Sequence, residues 1–481
     1  MSNTTTKPET WPEFWREKLG VLTRAATGVR SYIGAIAFGT DERAGAQRDA
    51  LLAFSVRVAS AAILYLSQIV LARWMGAFEY GVYVCVWTSV LVLGGISNLG
   101  LGIGMIRLLP DYQERRAHDL EAGLMFGGRW FAVGLSTVVA LLGFAGLKLF
   151  GERLNSPYLM PAYLALICLP LYTLTDVQDG IGRARGWIGV GLIPPYVLRP
   201  LAVLLAMVLA HALGMPMSAE TATGAAIAGT WVTGIVQLAI VQTYLREERA
   251  QRLAPDNAPT RAPTRAYDIK TWTATALPLF VINIAELCLQ NTDVLVISAY
   301  LTPVDAAMYF AAAKTMSLVL FVHYAVGSAV ANKFSGLNAR GDQAALKAFV
   351  RDAVRWTFWP SLAAGTTILA LGYPLLWLFS PAFTAAYPVM FILVAGFLVR
   401  ASTGPSDYLL NMLGQQRACA TILVTTAIVN VLLNFMLVPR LGIIGAAIAT
   451  SLSLSGASIA CAVIARRRLG IEMSVFALMK A

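Results

Sequence analysis

The residues of greatest chemical interest are polar and ionisable side chains inside long apolar segments. Asn283, Glu286, Gln290 and Asp293 recur within one such segment, and at 100° per residue they fall within about 80° of one another on a helix. A charged side chain at bilayer depth costs several kcal/mol unless it faces a polar cavity. The spacing therefore predicts a polar stripe along one helix, directed at a cavity that takes a polar or charged ligand.

Cations in other apolar segments extend this candidate cavity. Lys314 and Arg400 lie deep in two later segments, and Arg57 shares a helical face with Gln68 in the first. Arginine and lysine pair well with phosphate groups, so these positions suit an anionic ligand. The complete set of candidate cavity residues is Arg57, Gln68, Arg199, Asn283, Glu286, Gln290, Asp293, Lys314, Arg400 and Asp407.

Structural roles compete with the cavity role at each of these positions. For Glu286, Lys314 and Arg400 the alternative is an ion pair between helices, and for Asp293 it is an interfacial role near a segment end. Arg199 precedes Pro200, so its alternative role is to satisfy backbone carbonyls that the proline leaves free.

The composition indicates that a membrane is the solvent for these segments. The 481 residues are 57% hydrophobic and only 13% charged, with a mean hydropathy of +0.65, whereas soluble domains carry about 25% charged residues. In a soluble protein the net charge of +11 would indicate nucleic acid. In a membrane protein it indicates basic cytoplasmic loops, so we expect no nucleic-acid partner.

Twelve segments reach the roughly 20 apolar residues that a bilayer core of about 30 Å requires. Their approximate bounds are 51–72, 80–106, 122–147, 158–178, 187–210, 222–244, 271–297, 306–331, 353–379, 385–410, 418–437 and 441–465. Lys and Arg number 28 on one side, whereas the opposite loops hold only Arg73, Lys148, Arg153 and Arg440. This asymmetry predicts that both termini are cytoplasmic. In the fifth segment, Pro194 and Pro195 predict kinks.

A basic, Pro-rich stretch, RLAPDNAPTRAPTR, divides the segments into six and six. Tyr83 aligns with Tyr309 at an offset of 226 residues, and further on GAAIAGT at 224–230 matches GAAIATS at 445–451. Because each half has an even number of segments, the halves share one orientation and a pseudo-twofold axis along the membrane normal is expected.

The fold class predicted is an all-α polytopic membrane protein with two six-helix lobes around a central cavity. The predicted domains are a tail with an amphipathic interfacial helix at 1–49, lobes at 50–245 and 271–468, a linker at 246–270 and a tail at 469–481.

The N-terminal tail carries an amphipathic pattern. Trp11, Trp15, Leu19 and further apolar residues up to Ile36 recur at steps of four and three, with basic residues beside them. Such a helix either lies on an anionic inner leaflet or packs on its own protein.

Motifs of covalent chemistry are absent from the sequence. The five cysteines are widely spaced within apolar runs, and no phosphate-binding loop, HExxH, GxSxG or CxxC is present. We therefore expect no enzyme activity, no cofactor and no metal site.

Three stretches carry a family resemblance: SQIVLARWMGAFEYGVY, NTDVLVISAYLTPVDAAMYFAAAK and LVPRLGIIGAAIAT. Over roughly residues 50–468 the sequence resembles the multidrug/oligosaccharidyl-lipid/polysaccharide exporter superfamily, in particular its polysaccharide transport and O-antigen flippase branch. The resemblance implies lobes that open alternately to each membrane face, and a polyprenyl-diphosphate-linked glycan as substrate. The implied setting is the bacterial inner membrane, with membrane lipids and polysaccharide assembly proteins as partners.

Two other functions remain open from the sequence. A proton- or sodium-coupled multidrug or cation antiporter of the same superfamily would use Glu286 and Asp293 for ion exchange. A membrane glycan polymerase or ligase is disfavoured because the predicted exoplasmic loops are short and hold no cluster of acid, base and cation. Coupling of a flippase to protons or sodium through Glu286 is likewise open.

Overall fold

The computed structural model describes residues 42–151, 156–252 and 264–475. The predicted amphipathic helix of the N-terminal tail and residues 253–263 of the linker lie outside the described residues. Every regular element within the described ranges is helical, which confirms the all-α fold class. By its internal contacts the chain forms two compact units, Met1–Arg57 and Val58–Ala481.

In the described residues, eight α-helices precede the linker. They are α1 (Glu42–Ser97), α2 (Leu101–Glu114), α3 (His118–Gly146), α4 (Leu159–Leu166), α5 (Leu169–Ala184), α6 (Ile188–Ile193), α7 (Arg199–Ala212) and α8 (Ala219–Arg252). A π-helical segment, Pro194–Leu198, joins α6 to α7. The kinks predicted in this segment take the form of that wider turn, because a proline has no amide hydrogen for the usual bond and its ring needs room.

Over residues 264–475, nine α-helices follow the linker. They are α9 (Ile269–Tyr300), α10 (Pro303–Ser317), α11 (Leu320–Ala339), α12 (Gln343–Ala370), α13 (Gly372–Phe379), α14 (Tyr387–Ser402), α15 (Ser406–Met412), α16 (Gln416–Leu441) and α17 (Ile443–Ile464). The break between α14 and α15 contains Gly404, whose φ of +59° favours glycine. Breaks of this kind at bilayer depth are tolerated where they line a cavity or are buried in protein.

Nine candidate spans occur in the described residues, and the number rises to eleven when two bent helix pairs are each taken as one span. The first candidate runs over Ser55–Glu114, a length of 60 residues, which is far more than one crossing needs. Gly76 interrupts it with a non-helical backbone conformation, φ 76° and ψ 167°. The chain is thus a multi-pass membrane protein, and the count of twelve spans stays a prediction that this interruption supports.

Within the part of the chain that the structure describes, the buried apolar residues form three clusters. The largest unites residues of both halves, including Leu71, Tyr80, Tyr309 and Phe383, and it lies near the loops that are predicted to be exoplasmic. Towards the other face, one cluster belongs to the second half and a separate one is built mainly from the first half. The halves are therefore joined at the predicted exoplasmic end and have separate cores at the predicted cytoplasmic end.

The start of α9 makes an exception to this separation, because it packs on the first half. Trp272 belongs to the cluster of the first half, and its indole nitrogen donates a hydrogen bond of 2.9 Å to the Tyr112 hydroxyl. Just before α9, the Ala266 amide donates to the Asp119 carbonyl at 3.0 Å. A Cβ on Gly123 would lie 1.7 Å from the Ala266 carbonyl oxygen, so glycine is required for the approach.

Candidate functional site

The polar stripe predicted on α9 is exposed in the middle of the helix. Glu286 and Gln290 are exposed and Asn283 is half-buried. The structure gives Glu286 no hydrogen bond or ion pair to another described residue. Because a charge at this depth is costly in lipid, the exposed carboxylate agrees with the predicted cavity, which stays a prediction. We call the exposed polar residues of α9 and α10 the second-half wall.

The opposite face of α9 is apolar. Phe280, Ile284 and Cys288 line a groove of about 500 Å³ that α16 closes with Ile428 and Leu432. A helix with one charged and one apolar face fits a position between a polar cavity and the hydrocarbon region.

Lys314 adds a cation to the second-half wall. Its side chain is exposed on α10, with Nζ 5.1 Å from the centre of the Phe310 ring, and it interacts electrostatically with Asp293. Asp293 itself is buried and accepts a 2.5 Å hydrogen bond from the Tyr309 hydroxyl. Asp293 thus lies buried behind Lys314, and Lys314 is the exposed member of the pair.

Arg400 and Asp407 come together across the break between α14 and α15. Arg400 Nη2 lies 3.4 Å from Asp407 Oδ2, and His323 Nε2 from α11 lies 3.3 Å from Oδ1 of the same carboxylate. Arg400 is therefore part of an interhelical ion-pair cluster, the alternative that the sequence left open. The two side chains remain partly exposed, at 27% and 32%, so the cluster still presents charge at its surface.

A second set of charged and aromatic residues lies in the first half, on α1, α5 and α7, and we call it the first-half wall. The Arg199 guanidinium carbon lies 4.9 Å from the ring centre of Tyr172 and 6.0 Å from that of Trp87. It also interacts with Asp176, whose Oδ2 accepts a hydrogen bond from the Asn98 amide. A small cavity of about 70 Å³ opens among Tyr172, Asp176 and Arg199, together with Thr175, Asp179, Pro195 and Tyr196. Stacking on aromatic rings, rather than contact with freed carbonyls, positions Arg199.

Gln68 and Arg57 are the remaining predicted cavity residues. The Gln68 side-chain oxygen accepts a 2.8 Å hydrogen bond from the hydroxyl of the fully buried Tyr80, so this oxygen has a structural partner. Arg57 is the last residue of the first compact unit, and its role in the cavity stays a prediction.

Sequence patterns missed the aromatic members of the first-half wall. Trp87, Tyr172 and Tyr196 are ordinary residues for apolar spans, and helical periodicity within one segment cannot show that three segments bring them to one arginine. The available signal was the embedded Arg199, since a cation in a span requires partners.

A contact near the predicted exoplasmic face joins the two halves directly. Arg73 Nε donates a 2.5 Å hydrogen bond to the Leu378 carbonyl at the end of α13, and its guanidinium carbon lies 5.2 Å from the Trp377 ring centre. A cation at a helix C-terminus is favourable because carbonyls there lack helical partners. Arg73 thus connects the first span to the second half.

Comparison with known proteins agrees with this architecture. Residues 46–331 match the model of the family described as polysaccharide biosynthesis protein. The chain belongs to this family. A curated relative, the probable low-salt glycan biosynthesis flippase Agl15 of Haloferax volcanii, is 21% identical over 84% of this chain and 80% of its own length.

Solved structures show the same fold at low sequence identity. An inward-facing multidrug resistance MATE family transporter of the MOP superfamily has a TM-score of 0.66 at 14% identity, covering 89% of this chain and 96% of its own. The lipid II flippase MurJ, in an inward closed conformation, also has a TM-score of 0.66, at 12% identity, over 86% of this chain and 87% of its own. These likenesses establish the MOP-type fold of this family member.

Proposed function

We propose that this protein is a flippase that moves a lipid-linked oligosaccharide or polysaccharide unit across the membrane. Its family, the glycan flippase named among its relatives and the fold that it shares with a lipid II flippase support this function. The observation that carries the proposal is a charged wall in each half, built from residues of the predicted spans. Glu286 and Lys314 present one wall, and Asp176 and Arg199 present the other.

The physical need for such walls follows from the cargo. Hydroxyl and phosphate groups lose their hydrogen bonds to water when they enter hydrocarbon. Charged and polar side chains replace those bonds, while the prenyl chain of the cargo stays in the lipid. Lys314 and Arg199 supply charge for the diphosphate.

Alternating access is the mechanism that fits this arrangement. The shared apolar cluster closes the predicted exoplasmic end, whereas the cores are separate at the other end. Rocking of the halves opens the first end and closes the second around a fixed site. The cargo enters from the cytoplasmic side and leaves on the exoplasmic side, and no covalent bond changes, so the protein is a transporter and not an enzyme.

The finer setting follows the sequence-based expectations. We place the protein in a bacterial inner membrane with both termini cytoplasmic, where its cargo is a polyprenyl-diphosphate-linked repeat unit of O-antigen or exopolysaccharide and its neighbours are polysaccharide assembly proteins. Glu286 is our candidate for proton or sodium coupling, because it is an exposed carboxylate in a span.

Gene deletion tests the substrate class. We expect loss of surface polysaccharide, restored by the wild-type gene, with unchanged resistance to cationic dyes such as ethidium. The reverse phenotype, intact polysaccharide with lost dye resistance, would establish the antiporter instead.

The coupling role needs a separate variant. Glu286→Gln keeps the size and hydrogen-bonding capacity of the side chain but removes its charge, so complementation by this variant should fail. Glu114→Gln, at the end of α2, is the matched control and should complement. Full complementation by Glu286→Gln would remove the coupling role and leave the flippase assignment intact.

A further inference from the structure

The first-half wall contains a compact set of polar and aromatic groups whose charges cancel. Asp176 interacts with both Arg183 and Arg199, and Asp179 Oδ2 pairs with Arg183 Nη2 at 2.8 Å. Two carboxylates are thus matched by two guanidinium groups. The second-half wall differs, because Glu286 has no hydrogen bond or ion pair to another described residue, and the exposed Lys314 lies near the buried Asp293.

Two aromatic rings border the neutral set. Trp87 and Tyr172 are both half-buried, and their ring centres are 6.4 Å apart at an interplanar angle of 85°. Arg199 lies against both rings, and Gly94 leaves room for Tyr172, since a Cβ there would lie 2.5 Å from the Tyr172 ring. The two rings are therefore held in fixed orientations, and each keeps part of its surface open.

This combination has a defined chemical preference. A bare diphosphate requires net positive charge, and a cationic drug requires net negative charge. A neutral patch with fixed aromatic surface and several hydrogen-bonding groups instead suits a ligand with one apolar face and a polar rim. A pyranose ring is such a ligand, because its C–H groups pack on aromatic rings while its hydroxyls bond to carboxylate, amide and guanidinium groups.

We propose that Trp87, Tyr172 and Asp176 form a subsite for a neutral pyranose of the cargo, with Arg199 as the positioning residue that orients the two rings. The proposal rests on the flippase function and adds that the two walls bind different parts of the cargo. The first-half wall recognises the sugar, and Lys314 of the second-half wall supplies charge for the diphosphate.

The subsite is tested by comparing two ligands on the purified protein in nanodiscs. One is undecaprenyl diphosphate, and the other is the same carrier with a single hexose attached. Wild-type protein should bind the glycosylated carrier about fivefold to tenfold more tightly, which is the scale of one aromatic contact with one or two hydrogen bonds. The measured quantity is the ratio of the two dissociation constants.

Variants then locate the source of that ratio. Trp87→Leu and Tyr172→Leu should each bring it to within about twofold of one. Tyr172→Phe keeps the ring and should keep the preference. Trp130→Leu, at a span position where the tryptophan is 64% exposed, is the control and should behave as wild type. Thermal unfolding of each variant shows whether it is folded. Either leucine variant that is folded locates the source, and if neither is folded the wild-type ratio still decides the proposal.

Each outcome decides a separate claim. A wild-type ratio of one, with both carriers bound, overturns the sugar subsite and leaves the flippase assignment in place. Binding of neither carrier, with tight binding of tetraphenylphosphonium, overturns the proposed function itself. Loss of the ratio in Trp130→Leu as well would show that the effect does not arise from this patch.

Discussion

The contact between Arg73 and the end of α13 should help to hold the predicted exoplasmic end closed. Arg73→Ala removes a 2.5 Å hydrogen bond from Nε to the Leu378 carbonyl and the approach of the guanidinium to Trp377. A hydrogen bond from a charged donor contributes about 1.5–3 kcal/mol and an exposed cation–π contact about 0.5–1 kcal/mol. Because Arg73 is exposed, solvent screening reduces the sum to about 1–2 kcal/mol, or a factor of roughly 5–30 between closed and open forms.

Distance measurement between spin labels reports this equilibrium. Cysteines at Met215 and Ala385, exposed positions of the two halves, carry the labels in a background without the five native cysteines. Arg73→Ala should add or enlarge a population with a longer distance between the labels. The size of this population in Arg73→Lys should lie between those of Arg73→Ala and wild type, because lysine keeps the charge but lacks the planar guanidinium group. Arg440→Ala, an exposed arginine predicted on the same face, is the control. Identical distance distributions in Arg73→Ala and wild type would refute the role of this contact.

Further predictions concern topology, charge and stability. Reporter fusions at Gly214 should report the exoplasmic side and fusions at Asn257 the cytoplasm, and a reversed pattern would contradict the positive-inside assignment. Lys314→Ala should abolish glycan export while membrane insertion, measured by immunoblotting, stays normal; normal export would reduce Lys314 to a structural charge. Tyr309→Phe removes the hydroxyl bonded to buried Asp293 and should lower the free energy of unfolding by about 1–3 kcal/mol, measured as a lower midpoint of thermal unfolding; an unchanged midpoint would mean that Asp293 finds another partner.

Hydropathy and helical period were sufficient to predict the helical membrane fold from the sequence. Each segment predicts its own helix, because an apolar run of about 20 residues that crosses a membrane must satisfy its backbone hydrogen bonds internally. The exposure of Glu286, Gln290 and Lys314 followed from the same reasoning, since an isolated charge in a span needs a polar surrounding.

Contacts between helices could not be predicted, because they depend on the rotation and depth of each helix relative to its neighbours. Asp293 lies on the predicted stripe but is buried under the Tyr309 hydroxyl. Arg199 meets rings from two other helices, and Arg73 reaches a carbonyl 305 residues away in the chain. The periodicity of one segment gives no information about contacts that its residues make with other segments.

The central claim, transport of a lipid-linked glycan, is tested most directly in proteoliposomes. Undecaprenyl diphosphate carrying a fluorescent oligosaccharide is incorporated into the vesicles, and dithionite added outside destroys only the fluorophores that face outwards. With wild-type protein the bleached fraction should rise from about half of the label towards all of it, as inner sugars reach the outer leaflet, whereas vesicles with Lys314→Ala should stay near half. A bleached fraction that stays at half with folded wild-type protein, under proton and sodium gradients of either direction, would contradict the assignment.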